Sequence, residues 1–345
     1  MKLAILFGGQ SYEHEISIVS ATTLKEKLCD FELTFIFCDQ DHTLYLIDPT
    51  QMKAQTFSSG NYAKAPVLTL QQGGFVRKKR FGSETLTMPV LNVIHGGDGE
   101  DGTIAGLLDF YKIPYIGPRR EASVFSFDKR YTKYLAEALG VKVLNYEILH
   151  KEGSREVTMS YPFIVKPSRL GSSIGVSVVK NAEALDYALD VAFEFDESVI
   201  VEPFIEGVKE YNLAGFSAKG VMHYSIVEEP QKSDFLDFDK KYLDFSRSAT
   251  VHEADLDERS VTALRHNFKT LYDGLFKGAL IRCDFFIIEG EVYLNEINPI
   301  PGSMANYLFK DFVSAITMLL EDLPSFNRIH VNYQYIHTIS AAKGK

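Results

Sequence analysis

Apolar and polar positions follow two different periods along this chain, and glycines mark where one gives way to the other. From Leu3 to Phe7 the residues are uninterruptedly apolar, as in a strand buried on both faces. Gly8-Gly9 then supplies a turn, residues 16–28 carry a helical period, and residues 31–38 read as a second strand. That order predicts the opening of a doubly wound α/β sheet. Residues 40–88 are weakly patterned, with a hairpin expected about Gln71-Gln72-Gly73-Gly74. Residues 89–94 form another apolar strand. It runs into His95-Gly96-Gly97-Asp98-Gly99-Glu100-Asp101-Gly102, and a helix is expected over 103–111. Beyond a boundary near residue 120, one helix from Ser126 to Gly140 would carry Asp128, Lys129 and Lys133. A smaller unit holds the strand ending in Lys166-Pro167, a Gly/Ser loop over 168–175 and the strand 199–203. The last unit carries a hairpin of residues 279–288 and 292–298. The expected domains are 1–120, 121–205 and 206–345.

The hairpin's register decides its chemistry. A two-residue turn would put Asp284 and Glu296 on opposite faces. A three-residue loop containing Gly290 keeps the even-numbered residues of both strands together, so that expectation gathers Arg282, Asp284, Glu296 and Asn298 at the end away from the turn. Two carboxylates and an amide oxygen are hard ligands suited to Mg²⁺, which retains waters and takes phosphate oxygens as further ligands. An arginine beside them suits the charge that builds up in phosphoryl or acyl transfer.

Composition narrows the partners. The chain has 345 residues, 46% of them hydrophobic and 24% charged, so a packed core is expected. A formal charge of −10 argues against nucleic acid as a partner, while ATP needs only a few local cations. Cys29, Cys38 and Cys283 show no paired or zinc-like spacing and fit a reducing compartment. The apolar start is too short for a secretory segment and no apolar run approaches membrane-spanning length, so a soluble cytoplasmic protein is expected.

Three further segments point to ligands. After Lys166, Gly171 and Gly175 let backbone amides approach an anion, and Ser172 and Ser173 add hydroxyl donors, as in a lid over phosphates. The loop matches neither a Walker A sequence nor a GxGxxG fingerprint. Gly8-Gly9-Gln10-Ser11-Tyr12-Glu13-His14-Glu15 lies where open α/β sheets bind ligands. There Glu15 is either a helix-start carboxylate or an anion for a substrate ammonium, and His14 reads as a surface residue. Glu100 and Asp101 divide between capping the next helix and positioning a substrate. Glu202-Pro203-Phe204 ends a strand and can present backbone groups to a base, with Glu210 reaching ribose hydroxyls. Residues 235–245 are aromatic and acidic around Lys240-Lys241-Tyr242, a surface segment or a substrate cover.

Taken together these motifs resemble the D-alanine–D-alanine ligases of the ATP-grasp superfamily, from Leu3 to about Leu308. The resemblance rests on Gly-Gly-x-Ser-x-Glu-x-Glu-Ile-Ser, His-Gly-x-x-Gly-Glu-Asp-Gly, Lys-Pro-Ser-x-x-Gly-Ser-Ser-x-Gly and Arg-x-Asp…Asn-Glu-x-Asn-x-x-Pro-Gly. It implies three α/β domains, the first a Rossmann-like open sheet, with nucleotide held between the central and C-terminal ones, and a homodimer. It also implies ATP-dependent joining of two D-alanines through an acylphosphate, for peptidoglycan synthesis. Glu15 would bind the first D-alanine's ammonium and share a hydrogen-bonded link with Ser172 and Tyr242. Lys129, Lys166, Ser172, Ser173 and Lys241 would face the ATP phosphates, and Glu202, Pro203, Phe204 and Glu210 the adenosine. Asp284, Glu296 and Asn298 would carry two Mg²⁺ ions, or Mn²⁺ in their place. Arg282 and the Gly302 amide would hold the oxyanion, with His95, Glu100, Ser303, Tyr307 and Leu308 around the substrates. Tyr307 stands where the family commonly has serine. The resemblance leaves two other readings: a D-alanine–D-lactate ligase, and a catalytically silent nucleotide-binding regulator.

Overall fold

A computed structural model describes residues 1–230, 251, 253–326 and 329–343. The first unit alternates β1 (Lys2–Gly8), α1 (His14–Lys27), β2 (Glu32–Cys38), β3 (Leu44–Ile47), α2 (Ala54–Ser58), β4 (Val67–Gln71), β5 (Gly74–Lys78), β6 (Ser83–Leu86), β7 (Val90–Asn92), α3 (Gly97–Glu100), α4 (Thr103–Phe110) and β8 (Tyr115–Ile116). Its eight strands lie in the order β6-β5-β4-β3-β2-β1-β7-β8. The apolar run of β1 is buried from Leu3 to Gly8 because parallel neighbours flank it on both sides, β2 and β7. The carboxyl ends of β1 and β7 therefore lie side by side.

The expected helix over 126–140 is broken. α5 (Arg120–Phe127) ends at Asp128, whose extended backbone and side chain, accepting from the Arg130 amide at 3.0 Å, begin α6 (Lys129–Ala138). Lys129 thus opens α6 and Lys133 follows one turn later on the same face.

A four-stranded antiparallel sheet comes next: β9 (Glu147–His150), β10 (Phe163–Pro167), β11 (Ser177–Val179) and β12 (Ser198–Pro203), in the order β11-β10-β12-β9, with α7 (Leu185–Phe193) packed on it. The last sheet has the order β14-β13-β15-β16, from β13 (Glu210–Ala218), β14 (Val221–Glu228), β15 (Ile281–Ile288) and β16 (Glu291–Asn298). α8 (Glu258–Tyr272) covers one face, burying Leu264, Phe268 and Leu271 against Leu213, Ile281 and Phe285. α9 (Phe312–Glu321) lies in a core shared by Phe216 and Ala218 of β13 and Leu3, Ile5 and Phe7 of β1.

The β15–β16 turn corrects the expected register. Ile288 pairs with Glu291, so the turn has two residues, Glu289 and Gly290, both with positive φ. Alone, that turn would separate Asp284 from Glu296. A bulge restores them: Phe285 pairs with Leu294 and Asp284 with Glu296, leaving Asn295 as the extra residue.

Candidate active site

At the bulged hairpin end Arg282 grips Asp284 with two parallel bonds, Nε to Oδ1 at 2.7 Å and Nη2 to Oδ2 at 2.8 Å. Asn298 sits opposite Arg282 and donates to Asp284 Oδ2 at 2.9 Å, while Lys129 Nζ lies 3.8 Å from Glu296. Among the described residues no three His, Cys, Asp or Glu side chains form a metal cage by themselves. The hard oxygens of Asp284, Glu296 and Asn298 still suit Mg²⁺, which fills its shell with waters and phosphate oxygens. Asp284 Oδ1 keeps a lone pair beyond the one bond it accepts, while Oδ2 already accepts two.

The central sheet and the last sheet face each other across a narrow apolar cleft of about 40 Å³, lined among others by Ile164, Pro203, Phe204, Ile205, Phe286 and Asn295. Its polar end is a buried ion triad. Glu202, 2% exposed, takes Lys133 on Oε1 at 2.5 Å and Lys166 on Oε2 at 2.7 Å. Burial works to raise the Glu202 carboxyl, yet Lys166 and Lys133 hold it down at about 2. Lys166 also reaches Asn295 Oδ1 at 3.4 Å, and Asn295 Nδ2 lies 3.5 Å from Glu210. Lys129 donates to the Leu170 carbonyl at 2.6 Å, tying α6 to the Gly/Ser loop.

That loop lies over the end of β1. Ser172 donates to Glu13 Oε1 at 2.5 Å, and Ser172 and Ser173 both hold positive φ, 55° and 58°. The carboxylate linked to Ser172 is therefore Glu13, not Glu15. Glu13 is buried, whereas Glu15 points to solvent from the first turn of α1, because a helical turn sends residues two apart to different sides. Burial, and then Glu100, raise the Glu13 carboxyl above its ordinary range. His14 is half-buried rather than a surface residue, with Nδ1 2.6 Å from the Gly9 carbonyl.

In the glycine-rich loop after β7 the two acidic side chains part. Asp101 accepts from the Thr103 amide at 2.8 Å, while Glu100 turns inward, 3.8 Å from His95 Nδ1. Burial pushes Glu100 up to about 8 and His95 down to about 4. His95 Nε2 is 2.8 Å from Ser20 Oγ, which also accepts from the Ser303 amide at 3.0 Å. Ser20 thereby joins α1, the His95 loop and the segment after Gly302. In that segment Ser303, Met304 and Ala305 are all left-handed, with Ser303 and Leu308 buried. Tyr307 Oη lies 3.5 Å from Arg282 Nη1. Lys241 and Tyr242 lie outside the described residues.

Glu13, Ser20, Lys133 and Asn295 join the expected residues here. Lys133 had a signal, its four-residue spacing from Lys129; Ser20 and Asn295 had none, since a tertiary contact and a bulge place them.

Comparison with known proteins bears on this geometry. The sequence profile described as D-ala D-ala ligase N-terminus matches residues 2–118, and that described as D-ala D-ala ligase C-terminus matches residues 135–324. A D-alanine--D-alanine ligase of Sulfurimonas denitrificans is 64% identical over 345 residues, covering 100% of both chains. One from Wolinella succinogenes is 56% identical, again over 100% of both. Among solved structures, D-Alanine-D-Alanine Ligase from Helicobacter pylori superposes with a TM-score of 0.85 at 47% identity, covering 95% of this chain and 100% of that one.

Proposed function

The chain belongs to the D-alanine–D-alanine ligase family, and from that premise we propose that it joins two D-alanines at the expense of ATP, for peptidoglycan precursor synthesis. A carboxylate oxygen of the first D-alanine attacks the γ-phosphorus, the bond to ADP breaks, and an acylphosphate forms. The amine of the second D-alanine attacks its carbonyl carbon and loses a proton, and phosphate leaves with the C–O bonding pair.

Glu13, buried under the lid, is the anion for the first ammonium, in place of Glu15. Lys129 and Lys166, with the amides and hydroxyls around Ser172 and Ser173, receive the phosphates. The apolar cleft takes adenine, with Glu210 toward the ribose. Arg282 and the Gly302 amide hold the oxyanion, a contribution of ~3–4 kcal/mol per well-placed donor. Asp284, Glu296 and Asn298 would hold Mg²⁺, or Mn²⁺, which supplies charge neutralisation on the phosphoryl oxygens. Tyr307 and Leu308 wall the second D-alanine. Free Cys29, Cys38 and Cys283 accord with a cytoplasmic setting, and no helix among the described residues is long and apolar enough to cross a membrane. The reading extends to a homodimer and to domains of 1–120, 121–205 and 206–345.

The observation that carries this reading is the Ser172–Glu13 contact, which lays a phosphate-type lid over a buried anion beside the arginine–carboxylate cluster. The test is phosphate release from ATP and Mg²⁺ with D-alanine alone, beside a reaction adding D-lactate. Release with D-alanine alone and dipeptide as product is expected; release that needs D-lactate would move the acceptor, and none in either would reject the reading.

A further inference from the structure

The triad around Glu202 contains one lysine more than a carboxylate needs. Lys133 is the inner member, its side chain 2% exposed and pressed between α6 and the central sheet, while the Lys166 side chain is 15% exposed at the edge of the cleft. Lys166 is committed to Glu202 at 2.7 Å, so a phosphate has to compete with that carboxylate for it. Withdrawing it from a buried carboxylate with no other cation would strand that charge, which costs several kcal/mol. Lys133 removes that cost, because Glu202 keeps an ion partner when Lys166 leaves.

We propose that Lys133 is a positioning residue for nucleotide binding: by holding Glu202 on its inner side it frees Lys166 to exchange Glu202 for the phosphates of ATP. Lys133 itself does not touch the nucleotide. The triad carries one net positive charge before binding. Afterwards it divides into a neutral Lys133–Glu202 pair, which stays behind, and a Lys166–phosphate contact. The other charges facing the triad are Glu296 and Glu210 on Lys166 and Glu296 on Lys133. Glu296 follows the cleft residue Asn295 on β16, and Glu210 lies 3.5 Å from the Asn295 amide, so a lysine attracted by them moves along the cleft rather than out of it.

The proposal rests on the ATP reading, which fails separately if the unaltered protein binds no ATP. The experiment is calorimetric titration with ATP·Mg²⁺ and, separately, with adenosine, in the unaltered protein, Lys133→Met and Lys133→Met/Glu202→Gln. The quantity read is the ratio of adenosine Kd to ATP Kd, which isolates what the phosphates contribute. In Lys133→Met that ratio should fall roughly tenfold or more, since Lys166 becomes the sole partner of a buried carboxylate. In the double variant it should return to near the unaltered value, because Lys166 then has no carboxylate to leave. A Lys133→Met ratio that does not move overturns the proposal. So does a double variant whose ratio stays low, as a direct phosphate contact by Lys133 would give, or equal weakening of both ligands, as loss of the cleft wall would give. If Lys133→Met does not fold, Lys133→Gln, which keeps a hydrogen-bond donor for Glu202 but no charge, takes its place and is read against the double variant by the same ratio.

Discussion

Glu13 and Glu15 are separated by one residue and occupy opposite environments. Glu13 is buried, bonded to Ser172 and near Glu100 and His95; Glu15 is exposed on α1. Both carry a charge that suits an ammonium, but only Glu13 is placed where water cannot compete. Glu13→Gln should therefore lower kcat/KM for D-alanine roughly 10- to 100-fold, the value of a hydrogen bond to a charged group, while Glu15→Gln stays within about twofold of the unaltered enzyme, losing only a weak helix-end interaction. Steady-state kinetics in D-alanine with both variants checks this, and equal losses would refute the assignment. Glu100 makes a second prediction. Its carboxyl is raised from 4.5 to about 8 by burial, so above pH 4.5 the folded chain holds a proton that the unfolded chain releases. Its contribution to stability is complete below pH 4.5 and is lost as pH rises through 8. Between pH 6 and 8 the unaltered protein should lose about 2 kcal/mol more stability than Glu100→Gln, measured by denaturant unfolding at the two pH values. Neither residue's burial was legible in the sequence. The sequence pointed to Glu15 as the carboxylate, and only the tertiary approach of a loop 159 positions away picks out Glu13 instead.

At the scale of elements, the strands on either side of the arginine–carboxylate cluster were legible from their apolar runs, and so was the gathering of Arg282, Asp284, Glu296 and Asn298. The means was not. A tight turn at Glu289-Gly290 and a bulge at Asn295 together give the alignment that a three-residue loop was expected to give. A bulge leaves no fixed sequence mark, since it is stabilised by what the extra side chain meets, here Lys166 and Glu210. The break at Asp128, which ends one helix and caps the next, fell inside the span 126–140 expected to be a single helix. Lid closure offers the corresponding test. A Cβ at Gly171 would stand 2.8 Å from Glu13 Oε1, and Gly171 is not in a left-handed conformation. Gly171→Ala should thus push the lid off Glu13 without backbone strain, lowering kcat/KM for D-alanine about tenfold while the thermal midpoint is unchanged. A fall in the midpoint matching the loss of activity would show instead that the loop is part of the fold's support.

For the whole molecule, the distribution of cores predicts where ligand binding is felt. β1 and the residues from Ile300 to Leu319 share one core with β13, so the first sheet is already fixed to the last. The Gly117 amide donates to the Gly278 carbonyl at 3.0 Å, reinforcing that join. The central sheet is different. Its core of Leu149, Phe163, Val165, Val199, Val201 and α7 is self-contained; it meets the first unit through Ser172 with Glu13 and the Phe195 ring edge-on to Tyr12, and the last through Lys166 with Asn295. A nucleotide in the cleft adds apolar and ionic contacts across that boundary. ATP·Mg²⁺ should therefore slow amide hydrogen exchange across β9–β12 far more than in β1 and β2, whose protection is set by the shared core. Chelating the metal should remove most of this ATP-dependent protection and leave the ligand-free pattern untouched, because Asp284 is already held by Arg282 and Asn298. Uniform slowing across all three sheets would mean the units were already coupled as one. A ligand-free pattern that loosens on chelation would mean the metal, and not Arg282, holds Asp284 in place.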